Sequence, residues 1–109
     1  MRIASFNVNS IRVRLPIVLP WLQKNQPDVL AVQETKVQDA DFPQEPFCEV
    51  GYRCVFRGQK TYNGVAVISK HPIEQVEFGL LDEPRDEPRV ATALIQGITL
   101  VNTYVPQGY

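Results

Sequence analysis

The chain has 109 residues, 44% of them hydrophobic and 21% charged, with a formal net charge of −1. That length suits one domain, and the composition is that of an ordinary globular protein rather than a fibrous or disordered one. A balance this close to neutral carries no bulk signature of nucleic-acid binding, so any such role has to come from a local patch.

Cys48 and Cys54 lie six apart with no CxxC and no neighbouring histidine, which argues against a zinc site and against a disulfide scaffold. The opening MRIASFNVNS is too polar for a signal peptide, and no apolar run approaches membrane-spanning length. The sequence therefore reads as cytoplasmic and reduced, with no membrane partner.

In chain order, residues 2–8, RIASFNV, alternate as a strand does. In NSIRVRLPIVLPWLQKNQPD, the side chains of Ile17, Val18, Trp21 and Leu22 make one apolar helical stripe. Pro16 and Pro20 predict that regular helix begins late, after an irregular entry, and Pro27 ends it. DVLAVQET is apolar on both faces, as a central strand covered on both sides would be. Residues 37–50 form a polar, proline-broken connection with one short helical turn. YRCVFRG and NGVAVISK read as two strands joined near QKTYNG, with Asn63 and Gly64 supplying the turn. HPIEQVEFG is a weaker strand, DEPRDEPR a tandem duplication expected to be an exposed loop, and VATALIQG and ITLVNTYV close the chain as strands around Gly97.

This order, β-α-β followed by strands, predicts an α/β class with a mixed β-sheet and one long helix. A single long helix covers one sheet face. The other face is expected to lie uncovered and to serve for self-association or for pairing with a complementary fragment.

Three apolar strands end in polar groups: Asn7, Glu34, and the run Asn102, Thr103, Tyr104. Strand parity groups Asn7 with Ile3 and Ser5, Glu34 with Leu30 and Val32, and Tyr104 with Leu100 and Asn102. Ligands of open α/β sheets gather outside the carboxyl ends of strands. An amide, a carboxylate and a phenol meeting there would suit a hard cation such as Mg2+ together with a phosphate. The bland alternatives are a solvated carboxylate, a turn-forming asparagine and a rim tyrosine with a satisfied hydroxyl. His71, in SKHPI, reads as structural or solvated.

SFNVNSIRVR, QPDVLAVQETKV, YNGVAVISK and NTYVPQG occur in an order and spacing that resembles the exodeoxyribonuclease III and AP endonuclease family, of the endonuclease/exonuclease/phosphatase superfamily. The resemblance covers the chain nearly end to end. It implies half of a four-layer α/β sandwich of the DNase I-like kind, with residues 1–109 as the N-terminal half of that domain. It implies a phosphodiesterase dependent on Mg2+, with Mn2+ as the alternative, acting on DNA at abasic sites or duplex ends. Asn7 would position phosphate and metal-bound water, Glu34 would ligate the metal, and Tyr104 would contact the scissile phosphate. Lys36 would tune the Glu34 charge or meet DNA. Lys60 and Tyr62, with Arg57, make a small basic, aromatic group at the hairpin that suits a DNA backbone, a solvated hairpin being the alternative.

The sequence departs from the family at Ser10, where glycine is common. The family's Gly-Asp-x-Asn and Ser-Asp-His motifs, which carry the water-activating aspartate and the catalytic histidine, have no counterpart in it. The 109 residues are thus expected to have little or no activity alone. An inositol or lipid phosphodiester substrate is the reading that keeps the superfamily and changes the branch.

Overall fold

The computed structural model describes residues 1–59, 63–79 and 87–104. The elements follow in the order β1 (Ile3–Asn7), α1 (Ile11–Asn25), β2 (Val29–Gln33), a single 3-10 turn (Asp39–Asp41), α2 (Gln44–Glu49), β3 (Arg53–Arg57), β4 (Val65–Ser69), β5 (Gln75–Phe78), β6 (Val90–Ile95) and β7 (Ile98–Thr103). β1, β2, β4 and β3 form one sheet in that spatial order, with β1 parallel to β2 and the other pairs antiparallel. β5, β6 and β7 form a second, antiparallel sheet.

β4 is buried at every position and β2 at all but Gln33, so each needs an apolar wall on both sides. The first wall is helical. Leu30, Val32, Ala66 and Ile68 pack with Ile11, Val18 and Leu22 of α1 and Phe47 of α2. The second wall is β6, whose Ala91, Ala93 and Ile95 meet Val29, Val65 and Val67 across the seam between the sheets. The small side chains of Ala91 and Ala93 let the two sheets approach closely.

This corrects the expectation of an uncovered central face. The C-terminal strands pair with one another and fold back as a separate sheet instead of extending the first. A strand pattern in sequence fixes alternation but not sheet membership. Apolar surface remains open elsewhere: at the outer edge of β1 (Ile3, Phe6), on β7 (Ile98, Val101), and on α1, where Val13 is 62% and Ile17 59% exposed. A cavity of about 260 Å3 lies between β1 and α1, lined by Ala4, Ser5, Phe6, Ile17, Val18, Trp21 and Leu30.

The helix also departs from expectation, because α1 runs from Ile11 with both Pro16 and Pro20 inside it. Each proline removes the bond to the carbonyl four residues earlier. The two are themselves four apart and exposed, so they share the outer face, where water serves the orphaned carbonyls. Ser10 caps the start, its Oγ accepting from Val13 N–H at 3.4 Å, and Gln26 closes the end in the left-handed conformation. The predicted stripe splits accordingly: Val18 and Leu22 are buried, while Ile17 and Trp21 stay exposed. No helix among the described residues is long and apolar enough to cross a membrane.

Cys48 and Cys54 are free thiols, and burial pushes the Cys54 thiol up to about 12. At the end of β2 remote from Glu34, Asp28 Oδ2 accepts from the Arg2 N–H at 2.7 Å, and Oδ1 lies 2.7 Å from His71 Nε2. His71 Nδ1 in turn faces Gln96 Nε2 at 3.2 Å, so one imidazole ties the first sheet to the β6–β7 turn. The Arg2 N–H, and after it His71, lowers the Asp28 carboxyl from 3.8 to about 2. A lowered folded-state value stabilises the fold above the ordinary value and loses that contribution as pH falls through the folded one. We expect Asp28→Asn to lower the melting temperature near neutral pH and to flatten its acid dependence between 3.8 and about 2, read by circular dichroism melts.

Candidate active site

β1, β2 and β7 all end on the same rim of the sandwich. β2 stops at Gln33 because Glu34 adopts φ 57°, and Lys36 does the same two residues later. Asn9 (φ 46°), Ser10 (φ 89°) and Asn63 (φ 51°) crowd into the same left-handed region nearby. Non-glycine residues held there cost of order 1–3 kcal/mol each and persist only where their surroundings over-determine them. Here the surroundings are backbone bonds. Ser10 N–H reaches Glu34 O at 2.8 Å, Ile11 N–H reaches Thr35 O at 3.0 Å, and Lys36 N–H reaches Asn63 O at 2.9 Å. The φ of Ser10 explains why glycine would suit that position.

Thr35 is the wedge of this turn, 1% exposed. Its Oγ1 fills the space a side chain would need at Gly64, and Gly64 has φ 103° as well. A Cβ at Gly58 would run into the Val37 carbonyl. Two glycines thus let the hairpin close over the Glu34–Val37 segment.

Glu34 and Tyr104 meet. The Tyr104 hydroxyl donates to Glu34 Oε1 at 2.7 Å. The Tyr104 N–H is anchored on Arg89 O at 2.7 Å, and its ring packs against the seam between the sheets. Alternation would have put Glu34 on the helix side with Leu30 and Val32. Its left-handed φ ends the alternation, and the carboxylate meets a residue of the second sheet instead. The bond to Glu34, and then burial, raise the Tyr104 phenol above its ordinary value.

Asn7 lies opposite Gln33 in register, the residue before Glu34, and no hydrogen bond joins it to Glu34 or Tyr104 among the described residues. Its Oδ1 accepts from Asn9 N–H at 3.2 Å, the geometry of a turn former. Lys36 is turned the same way, its Nζ donating to Asn9 Oδ1 at 2.6 Å. Asn9 therefore links two of the expected site residues. Nothing in its spacing distinguishes it from the turn around it, which is why sequence reasoning passed it over. Asn102, at the end of β7, is 2% exposed and belongs to the seam rather than the rim.

Arg57, which the sequence grouped with the hairpin, keeps a side chain 42% exposed and already engages partners within the chain. Its Nη1 lies 3.0 Å from Glu87 Oε1, its Nε 3.6 Å from Asp39 Oδ2, and its guanidinium 4.6 Å from the Phe78 ring centre. It clamps β3 to β5 and to the 3-10 turn. Lys60 and Tyr62 lie outside the described residues.

Among the described residues no group of three His, Cys, Asp or Glu side chains converges. The hard oxygen donors at the rim are Glu34, whose carboxylate has lone pairs beyond the one Tyr104 engages, and the Asn7 amide. Magnesium is commonly held by one or two carboxylates and keeps water and phosphate oxygens as its other ligands, so this set fits part of such a site.

Residues 4–107 match the Endonuclease/Exonuclease/phosphatase family. The chain is similar to exodeoxyribonuclease III of Haemophilus influenzae, at 34% identity over 99% of this chain and 42% of that one. In structure it is similar to an AP endonuclease from Archaeoglobus fulgidus, with TM-score 0.96 and 55% identity over 100% of this chain and 42% of that one. It is also similar to the 3′ phosphatase NExo from Neisseria bound to product DNA hairpin, with TM-score 0.89 and 43% identity over 95% of this chain and 41% of that one. The chain thus spans about two fifths of the length of these relatives.

The turn that carries Glu34 makes a direct prediction. Gly64→Ala combines a forbidden φ with a collision against Thr35, and should destabilise the fold by about 2–4 kcal/mol in urea unfolding. Gly97→Ala, with φ 77° and open space around it, should cost less.

Proposed function

The chain belongs to the Endonuclease/Exonuclease/phosphatase family, and from that premise we propose that it is the N-terminal part of a divalent-metal-dependent DNA phosphodiesterase of exodeoxyribonuclease III type. The observation that carries the reading is the 2.7 Å contact between Tyr104 Oη and Glu34 Oε1 on the strand-end rim. Relatives named for DNA repair and for bound DNA support DNA over an inositol or lipid phosphodiester.

In this reading Glu34, together with Asn7, holds Mg2+ or Mn2+, which when bound would neutralise charge on the scissile phosphate. Tyr104 is a phenol at neutral pH, as any tyrosine is, and its bond to Glu34 favours that form further. Its single proton is donated to Glu34 Oε1 here, and it would serve a phosphate oxygen that gains charge in the transition state by turning from the carboxylate to that oxygen. The strained Glu34–Lys36 turn sets the direction in which the Glu34 side chain leaves the backbone, and the Tyr104 bond orients its carboxylate. Lys36, fastened to Asn9, steadies the β1–α1 turn and so orients Asn7.

The water-activating base is expected from chain beyond these residues. A general base contributes typically 10²–10⁴-fold, so the 109-residue chain should be nearly inert. Fusing it to the C-terminal part of the Archaeoglobus fulgidus AP endonuclease tests the reading. The chimera should nick an abasic duplex only with Mg2+ or Mn2+, lose about 10²–10³-fold in Tyr104→Phe, and lose at least as much in Glu34→Gln. Cleavage that ignores Glu34 would overturn it.

The open stripe of Val13, Ile17 and Trp21 on α1 supports a second reading, in which the chain associates with a second copy or a complementary fragment. Sedimentation velocity should then show association that grows with concentration and weakens in Ile17→Glu. A monomer throughout would count against it.

A further inference from the structure

Asn7, Glu34 and Tyr104 each have a close neighbour in sequence that belongs to one hydrogen-bonded network: Ser5 two before Asn7, Gln33 one before Glu34, and Asn102 two before Tyr104. Gln33 Nε2 donates to Ser5 Oγ at 3.0 Å and to Asn102 Oδ1 at 2.7 Å. Asn102 Nδ2 donates to the carbonyls of Val32 at 3.0 Å and Ala66 at 2.9 Å, which face each other across β2 and β4. Both hydrogens of both amide groups are thereby used, and Asn102 also accepts. The orientation is forced: a reversed Asn102 amide would turn its own oxygen onto two carbonyl oxygens.

The core of the contact between the sheets is apolar, made by Val29, Val65, Val67, Ala91, Ala93 and Ile95, and the other polar ties, Arg57 to Glu87, His71 to Gln96 and Tyr104 to Glu34, lie at its edges. Apolar packing is non-directional and tolerates small slides of one sheet over the other. A satisfied buried amide does not, since a slide would leave donors unpaired at low dielectric. The network lies at the end of the seam next to the rim and spans the strands that carry Asn7, Glu34 and Tyr104.

We propose that the Ser5–Gln33–Asn102 relay is the positioning device of the site, and that Gln33 and Asn102 act through Tyr104 and Glu34 by fixing β7 on β2. The inference rests on the site proposed above, and it adds two residues that touch neither metal nor phosphate.

The test uses the 109-residue chain labelled with 13C, reading the Glu34 13Cδ and Tyr104 13Cζ resonances by NMR, with urea unfolding in parallel. Tyr104→Phe defines the Glu34 signal when the phenol bond is gone. Asn102→Ala and Gln33→Met should move Glu34 13Cδ to that position while the chain stays folded. Ile95→Val, which thins the same seam without touching the relay, should lower stability and leave the resonance unmoved. If Asn102→Ala does not fold, Gln33→Met decides, since it keeps Asn102 on the Val32 and Ala66 carbonyls. An unshifted Glu34 resonance in folded Gln33→Met overturns the relay and spares the site. Identical Glu34 signals in the unsubstituted chain and Tyr104→Phe overturn both.

Discussion

Burial of β2 and β4 on both faces is the constraint from which the remaining architecture follows. Two apolar strands side by side cannot be left half-covered in water, so the helices close one side and β6 with its neighbours closes the other. The second closure shapes the rim where the proposed site lies. Only when β7 lies across the end of β2 can a phenol from one sheet reach a carboxylate from the other. Apolar burial supplies the force, and the few buried polar groups supply the alignment.

That division of labour recurs in the turn after β2. Glu34 and Lys36 sit in a conformation that an isolated peptide would seldom adopt, and Thr35 is driven into the interior between them. The turn is stable because backbone groups on both sides, from the start of α1 and from the β3–β4 connection, are paired with it. Gly64 makes that pairing geometrically feasible. The turn fixes where the Glu34 side chain leaves the backbone, and the Tyr104 hydroxyl restricts the rotamer freedom that remains.

Much of this was legible in the sequence. The strands that became β1, β2, β3 and β4 announce themselves by apolar runs and by the Asn63-Gly64 turn, and the polar residues at their ends mark the rim. Three things were not legible. Sheet membership depends on long-range packing, so the separate sheet of β5–β7 looked like an extension of the first. Pro16 and Pro20 suggested a late helix start, because their shared exposed face is visible only once the helix is folded against its neighbours. The partners of Lys36 and Arg57 depend on Asn9, Asp39 and Glu87, which no period or motif joins to them. Parity, too, failed at the one residue where alternation stops, Glu34.

The tie between Asp28, His71 and Gln96 lies at the opposite end of the same strand, about six residues or roughly 20 Å from Glu34. One contributor to stability therefore sits at the pole of the molecule remote from the proposed site. An engineer seeking heat tolerance can add to the distal tie without touching Asn7, Glu34 or Tyr104, which separates that gain from the usual trade between sturdiness and function.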